Sequence, residues 1–301
     1  MNNEFFSGFV SIIGKPNVGK STLMNCLIGE KISIISDKPQ TTRNKILTIM
    51  TGENYQAVFI DTPGIHNPKS KLGEYMIKSV DTSLNEIDVV MYVIDPTERV
   101  TAVDSEILKK LAAINTTVLL VINKIDTLEK SKLLEIIDKY QNLYDFNEIL
   151  PISALKADNT DKLIQTIVKY LPEGPKYFPE DMITDQPERQ IISEIIREKA
   201  LIYMQDEIPH GMAVEIMSMK ERKNKELIDI EATIYCEKDS HKGMIIGKKG
   251  AMLKRIGTAA RLDSQSLLGI PVNLQLWVKV KKDWRDSDFM LKSLGYNSKD
   301  I

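Results

Sequence analysis

The chain has 301 residues, of which 43% are hydrophobic and 27% charged, a composition that excludes collagen-like, coiled-coil and wholly disordered readings. At roughly 100 to 200 residues per domain, it holds two domains more comfortably than one. Forty Lys and Arg against 42 Asp and Glu give a formal charge of -2, which as an average argues against a nucleic-acid binder.

In chain order, short apolar runs predict strands at 9–13, 45–52, 56–60, 89–94, 118–122 and 148–152. Most are apolar throughout, as in a sheet covered by helices on both faces. Between them, helical periodicity predicts helices at 20–29, 72–85, 102–113, 130–144 and 159–170. The runs at 89–94 and 118–122 fall far short of the roughly 20 residues a membrane span needs. The first residues lack a basic region before an apolar one, so no secretory leader is expected. Cys26 and Cys236 lack the clustered spacing of a zinc site or disulfide frame and are expected to be reduced, which fits a cytoplasmic protein. The first domain is assigned to residues 1–171. Prolines at 172, 175, 179 and 187 then block continuous helix or sheet and mark 172–187 as a linker. Residues 188–301 read as a smaller α+β domain: a helix at 188–208, strands at 213–219 and 227–237, two short helices around 247–250, a strand at 272–280 and a last helix. Trp277 and Trp284 are read as packing residues.

Gly14-Lys15-Pro16-Asn17-Val18-Gly19-Lys20-Ser21 matches the phosphate-binding loop GxxxxGK[ST], after a strand and opening a helix, with Thr22 next in line. Its glycines let backbone amides curl around phosphate oxygens, the helix start adds positive potential, Lys20 neutralises the outer phosphates and Ser21 can ligate Mg²⁺. Asp61-Thr62-Pro63-Gly64 puts a carboxylate at a strand end, where P-loop enzymes place their second metal anchor. The amide of Gly64 can approach a γ-phosphate with no side chain in the way, so that its loop senses hydrolysis. Asn123-Lys124-Ile125-Asp126 follows a buried strand and selects the base. The Asp126 carboxylate matches two adjacent donors of guanine, whereas adenine offers no such pair. Lys124 can lie along the base, Asn123 can brace the loop, and Ser153-Ala154-Leu155 completes the pocket with backbone amides.

These motifs in this order resemble the Era and TrmE group of translation-factor-related GTPases, over residues 8–171. The resemblance implies a Ras-like mixed sheet with helices on both faces. It implies that Gln40-Thr41-Thr42-Arg43-Asn44 is the first switch, with Thr42 closing over Mg²⁺ and γ-phosphate. It also implies catalytic roles for Lys20, Thr42 and Gly64, and metal contacts from Ser21, Thr42 and Asp61. An asparagine at position 17 further implies a potassium ion at the phosphates; an asparagine that favours a turn is the equal alternative. Ile65 stands where Ras-like proteins have a water-orienting glutamine, so intrinsic turnover should be slow. His66 reads as a surface residue rather than a base.

In the second domain, His241 to Ala251 contains Gly247-Lys248-Lys249-Gly250 between two helices and after a strand, which resembles the KH module of RNA-binding proteins. From Lys242 to Arg261 there are six basic residues and no acidic one, a local departure from the acidic average. The candidate RNA contacts are Lys242, Gly243, Ile246, Gly247, Lys248, Lys249, Gly250, Lys254 and Arg255. Ile245 and Ile256, with Ile246, are candidates either for the base groove or for the core. The preceding helix and strand suggest the type II KH topology. One GTPase domain followed by one KH domain resembles the Era-type members of the group. That implies a GTP-hydrolysing, monomeric, cytoplasmic switch that binds the 3′ end of 16S ribosomal RNA in the 30S subunit or its precursor. The first rival is a regulatory GTPase at the inner face of the membrane, whose C-terminal domain binds protein or lipid. The second, a P-loop ATPase or small-molecule kinase, is disfavoured by Asn123-Lys124-Ile125-Asp126.

Overall fold

The computed structural model describes residues 4–30, 33, 43, 46–61, 70–82, 87–97, 99–204 and 211–296. The first unit runs β1 (Phe6–Ile13), α1 (Lys20–Ile28), β2 (Ile46–Thr51), β3 (Tyr55–Asp61), α2 (Lys71–Thr82), β4 (Val89–Ile94), α3 (Ala102–Ala112), β5 (Thr117–Ile122), α4 (Lys130–Gln141), β6 (Glu148–Pro151) and α5 (Thr160–Tyr170). Its sheet has the order β2-β3-β1-β4-β5-β6. Only β2 is antiparallel to its neighbour.

The all-apolar strands follow from burial on both faces. Val10, Ile12, Phe59, Met91, Val93, Leu119 and Val121 pack against α1 and α5 through Leu23, Met24, Leu163 and Ile167. Val90, Tyr92, Ile94, Val118, Leu120 and Ile122 pack on the other face with Ile107, Leu111 and Tyr140 of α3 and α4. Each such side chain contributes about 1.5–3 kcal/mol on burial. The chain turns from β1 toward β3 on one side and β4 on the other, so β1 is the topological switch point, where α/β sheets bind ligands at the carboxyl ends of their strands.

Residues 172–187 carry no helix or strand, yet they are strapped to this sheet. The side-chain Oε1 of Gln56 accepts from the amides of Tyr177 (2.7 Å) and Phe178 (3.0 Å). Ser7 Oγ donates to Pro175 O (2.6 Å) and the Ile49 amide to Ile183 O (2.9 Å), which covers the exposed edge of β2.

The second unit runs α6 (Glu188–Tyr203), β7 (Ala213–Glu221), β8 (Ile228–Cys236), α7 (Asp239–Ile246), α8 (Ala251–Leu268), β9 (Val272–Val280) and α9 (Asp288–Ser293). Antiparallel β7-β8 and parallel β8-β9 form a three-stranded sheet. The α-β-β-α-α-β order through β9 is the type II KH arrangement. Its core joins Ile192, Ile196, Ile230, Ile234, Ile245, Ile256 and Ala260.

Two expectations are corrected and one alternative is decided. The helix after Gly250 is not short but has 18 residues. It runs through Gly257 because an added Cβ there would lie 3.3 Å from Leu276 Cδ1, so the glycine serves helix–strand packing. Ile245 and Ile256 are fully buried, which decides for the core between the two readings of them. Trp284 is fully buried, but Trp277 is 44% exposed, because alternation along the edge strand β9 turns it to the uncovered face of the sheet.

Candidate nucleotide and RNA sites

The phosphate loop joins β1 to α1, and its two glycines are required by the backbone. Gly14 has φ 155°, and a Cβ there would lie 2.3 Å from Val93 O. Gly19 has φ 95°, and its Cβ would lie 2.3 Å from Asn123 Nδ2. Lys20, only 6% exposed, curls its ammonium back to the carbonyls of Gly14 (3.0 Å) and Lys15 (2.8 Å). A positive charge is thus held inside the loop, with the amides of the first turn of α1 beside it. Val18 is buried, Pro16 and Thr22 are half-buried, and Asn17 is exposed. The φ of 66° at Asn17 is one that asparagine tolerates.

The side chain of Lys15 does not join the charge of the loop. Its Nζ is bound to Asp104 Oδ2 (3.1 Å) and Arg99 O (3.2 Å), and Asp104 also receives Tyr92 Oη (2.7 Å) and Thr101 N (2.7 Å). What Lys15 can offer a nucleotide is its backbone.

Asp61 ends β3 fully buried, and its Oδ2 receives Ser21 Oγ (3.4 Å) and Ser33 Oγ (3.3 Å). A hydroxyl and one carboxylate at the mouth of a phosphate loop are hard oxygen donors that fit Mg²⁺, which takes one or two carboxylates plus phosphates rather than an all-protein cage. Among the described residues there is no cluster of three or more His, Cys, Asp or Glu able to hold a metal. Thr42, Thr62, Pro63, Gly64, Ile65 and His66 lie outside the described residues.

The base-reading residues converge. Asn123 Nδ2 donates to Val18 O (2.9 Å), and Asn123 Oδ1 accepts the backbone amide of Ala154 (2.9 Å), which ties the phosphate loop to the Ser153–Leu155 turn. Lys124, at φ 61°, donates to Asn17 O (2.7 Å) and pairs with Asp95 (2.8 Å). Ser153 Oγ donates to Asp126 Oδ1 (2.6 Å) and orients that carboxylate. Leu155 is 73% exposed. Asp95 was missed by sequence reasoning. It caps β4 by accepting Thr97 N (2.8 Å); burial alone would raise its pKa, but hydrogen bonds from Lys124 and Thr97 outweigh that and hold it below the ordinary carboxylate value. The available signal was an acid directly after a buried strand, at the same sheet edge as the other loops.

In the second unit, Gly247 (φ 71°) ends α7 and Gly250 (φ 79°) opens α8. A Cβ on Gly247 would lie 2.9 Å from the Met252 amide, whereas Gly250 faces open space. Lys248 and Lys249 between them are exposed. A cleft of about 360 Å³ runs from this loop between α8 and β9, lined by Gly250, Leu253, Lys254, Gly257, Thr258, Arg261, Leu274 and Leu276. Apolar walls under a cationic rim suit unstacked bases and their phosphates. Lys254 is on the cleft. Arg255 is not: its guanidinium stacks over Tyr203 of α6, 4.1 Å from the ring centroid. Arg261, part of the basic run but not among the candidate contacts, takes that place. Lys242, Gly243 and Ile246 lie on α7, where Ile246 packs against the core.

Comparison with known proteins finds the same two domains. The family model described as a 50S ribosome-binding GTPase matches residues 9–124, and the KH domain model matches 207–285. The GTPase Era of Clostridioides difficile is 56% identical over 98% of this chain and 100% of its own length. That of Alkaliphilus oremlandii is 58% identical over 97% and 99%. Among solved structures, Era in complex with MgGDPNP and nucleotides 1506–1542 of 16S ribosomal RNA superposes with a TM-score of 0.94 at 45% identity, covering 97% of this chain and 99% of that one. An Aquifex aeolicus Era variant bound to GDP·AlF4⁻ gives 0.93 at 44% identity, with the same coverage.

Proposed function

Since the chain belongs to the Era family of GTPases, we propose that it is a GTP-hydrolysing switch whose KH cleft captures single-stranded RNA at the 3′ end of 16S ribosomal RNA during maturation of the small subunit. The observation that carries this reading is the presence, in one chain, of a phosphate loop beside an Asp126 carboxylate held by Ser153 and a cation-rimmed cleft behind a Gly-x-x-Gly loop. The relative solved with MgGDPNP and a 16S ribosomal RNA fragment supports both halves.

In this reading Asp126, steered by Ser153, accepts from guanine, and the amides of residues 14–21 with Lys20 oppose the phosphate charge. Ser21, Asp61 and Thr42 would hold Mg²⁺, which would supply positive charge against the phosphates, and Gly64 would report the γ-phosphate. Lys248, Lys249, Lys254 and Arg261 meet RNA phosphates, while Leu253, Leu274 and Leu276 face the bases. The protein works in the cytoplasm, where subunits mature; no helix of the described residues is long and apolar enough to cross a membrane. A potassium ion near Asn17 is tested by turnover in potassium against sodium buffer. The reading as a whole is tested by sequencing RNA crosslinked in cells to the GTP-bound protein. Reads should concentrate at the 3′ end of 16S ribosomal RNA, and recovery of none from that region would contradict it.

A further inference from the structure

Arg43 lies between α1 and β2, in the segment read as the first switch, yet its side chain is buried in the second unit at 2% exposure. Its Nη1 donates to Met212 O (2.7 Å), and its guanidinium lies 5.6 Å from the centroid of the Trp284 ring. Glu194 and Arg197 of α6 and Tyr296 also act on its charge. Trp284 is itself immobilised: it is fully buried, and its Nε1 donates to Gly211 O (2.9 Å).

A guanidinium is always charged, and removing it from water is costly unless hydrogen bonds and an aromatic face replace the lost hydration. An arginine that served only as a polar loop residue would remain in solvent. Nor is the contact isolated. The element after Trp284 also receives the start of α2, which follows the second switch loop. Lys71 N donates to Asp286 Oδ1 (3.0 Å), Lys71 Nζ pairs with Asp288 (3.0 Å), and Leu72 and Met76 pack with Trp284, Met290, Leu291 and Leu294.

We propose that Arg43 is a positioning residue for GTP hydrolysis: seated against Trp284, it ties the segment between α1 and β2 to the second unit, so that GTP turnover depends on this socket. The inference rests on the reading of residues 40–44 as the first switch. Neighbouring Cα atoms are about 3.8 Å apart, so a socket that fixes Arg43 anchors the chain of that segment at one point. GDP has no γ-phosphate, so its affinity is indifferent to the socket.

The test uses the full chain. Arg43→Ala should lower kcat for GTP about tenfold and weaken binding of a non-hydrolysable GTP analogue, while GDP affinity stays within about twofold. Trp284→Leu should reproduce the loss from the other unit, and the double variant should add little to either. Trp284→Phe, which keeps an aromatic face, should retain most of the activity and serves if the leucine variant does not fold. With Trp277→Phe as background, Trp284 emission should differ between GDP and GTP-analogue forms, and Arg43→Ala should abolish the difference. Wild-type turnover in a folded Arg43→Ala protein, or equal weakening of GDP and GTP, would overturn the proposal. RNA affinity indifferent to nucleotide would instead count against the proposed function and leave these outcomes standing.

Discussion

Lys124 and Asp95 form an ion pair of 2.8 Å between the base-reading loop and the end of β4, with Asp95 only 7% exposed. The same ammonium holds Asn17 O in the phosphate loop, so a single side chain fastens base loop, phosphate loop and sheet together. Asp95→Ala should therefore weaken GTP and GDP alike, by about tenfold for the loss of a buried charged acceptor, with kcat at saturation unchanged. Nucleotide titration and steady-state kinetics check this, and a loss confined to kcat would contradict it.

Asp95 also makes a pH prediction. Its carboxyl is held below its ordinary value in the folded protein, so its contribution is full above about pH 3.9 and is lost as pH falls through the folded value. The melting temperature should drop on acidification below about pH 4, and Asp95→Asn should reduce that drop.

Gly19→Ala puts a Cβ at φ 95° and 2.3 Å from Asn123 Nδ2. The clash strikes the amide that ties the phosphate loop to the base loop. Nucleotide affinity should fall by about 100-fold or more, equivalent to roughly 2.7 kcal/mol, as read by isothermal titration.

Asp126→Asn replaces an acceptor pair by a donor and an acceptor. GTP binding should weaken by about 100-fold and xanthosine triphosphate, whose base carries a carbonyl in place of the amine, should gain. Unchanged GTP affinity would remove Asp126 from the base site.

In the KH cleft, Lys254→Ala and Arg261→Ala should each lower RNA affinity and reduce the salt slope by about 0.7, the single-strand value for one phosphate contact. Arg255→Ala, on the side of α8 that faces Tyr203, should do less. Gly250→Asp should cost RNA affinity without lowering GTP turnover. Filter binding across a salt series separates these outcomes.

Legibility in the sequence follows the range of the interaction. Phosphate loop, Asp61, Asn123-Lys124-Ile125-Asp126 and Gly-x-x-Gly were readable because each needs fixed residue types at fixed spacing, and the apolar runs located their strands. Lys15 was misleading, since its side-chain partner, Asp104, is 89 positions away with nothing local to announce it. Arg255 and Arg261 were exchanged through helical phase. In a continuous α8, Lys254, Gly257, Thr258 and Arg261 share a face, and Arg255 lies about 100° around from Lys254. Arg43 looked like one more polar loop residue because its socket is built from Met212 and Trp284 of the other unit.

The central claim is that nucleotide state and RNA capture are linked in one chain, and linkage is reciprocal. The most direct measurement is the affinity of the full-length protein for a single-stranded RNA with the 3′-terminal sequence of 16S ribosomal RNA, at one salt concentration, with a non-hydrolysable GTP analogue and with GDP. The account predicts tighter binding with the GTP analogue, by roughly 5- to 150-fold for a coupling of ordinary size. Equal affinities in the two states would contradict it.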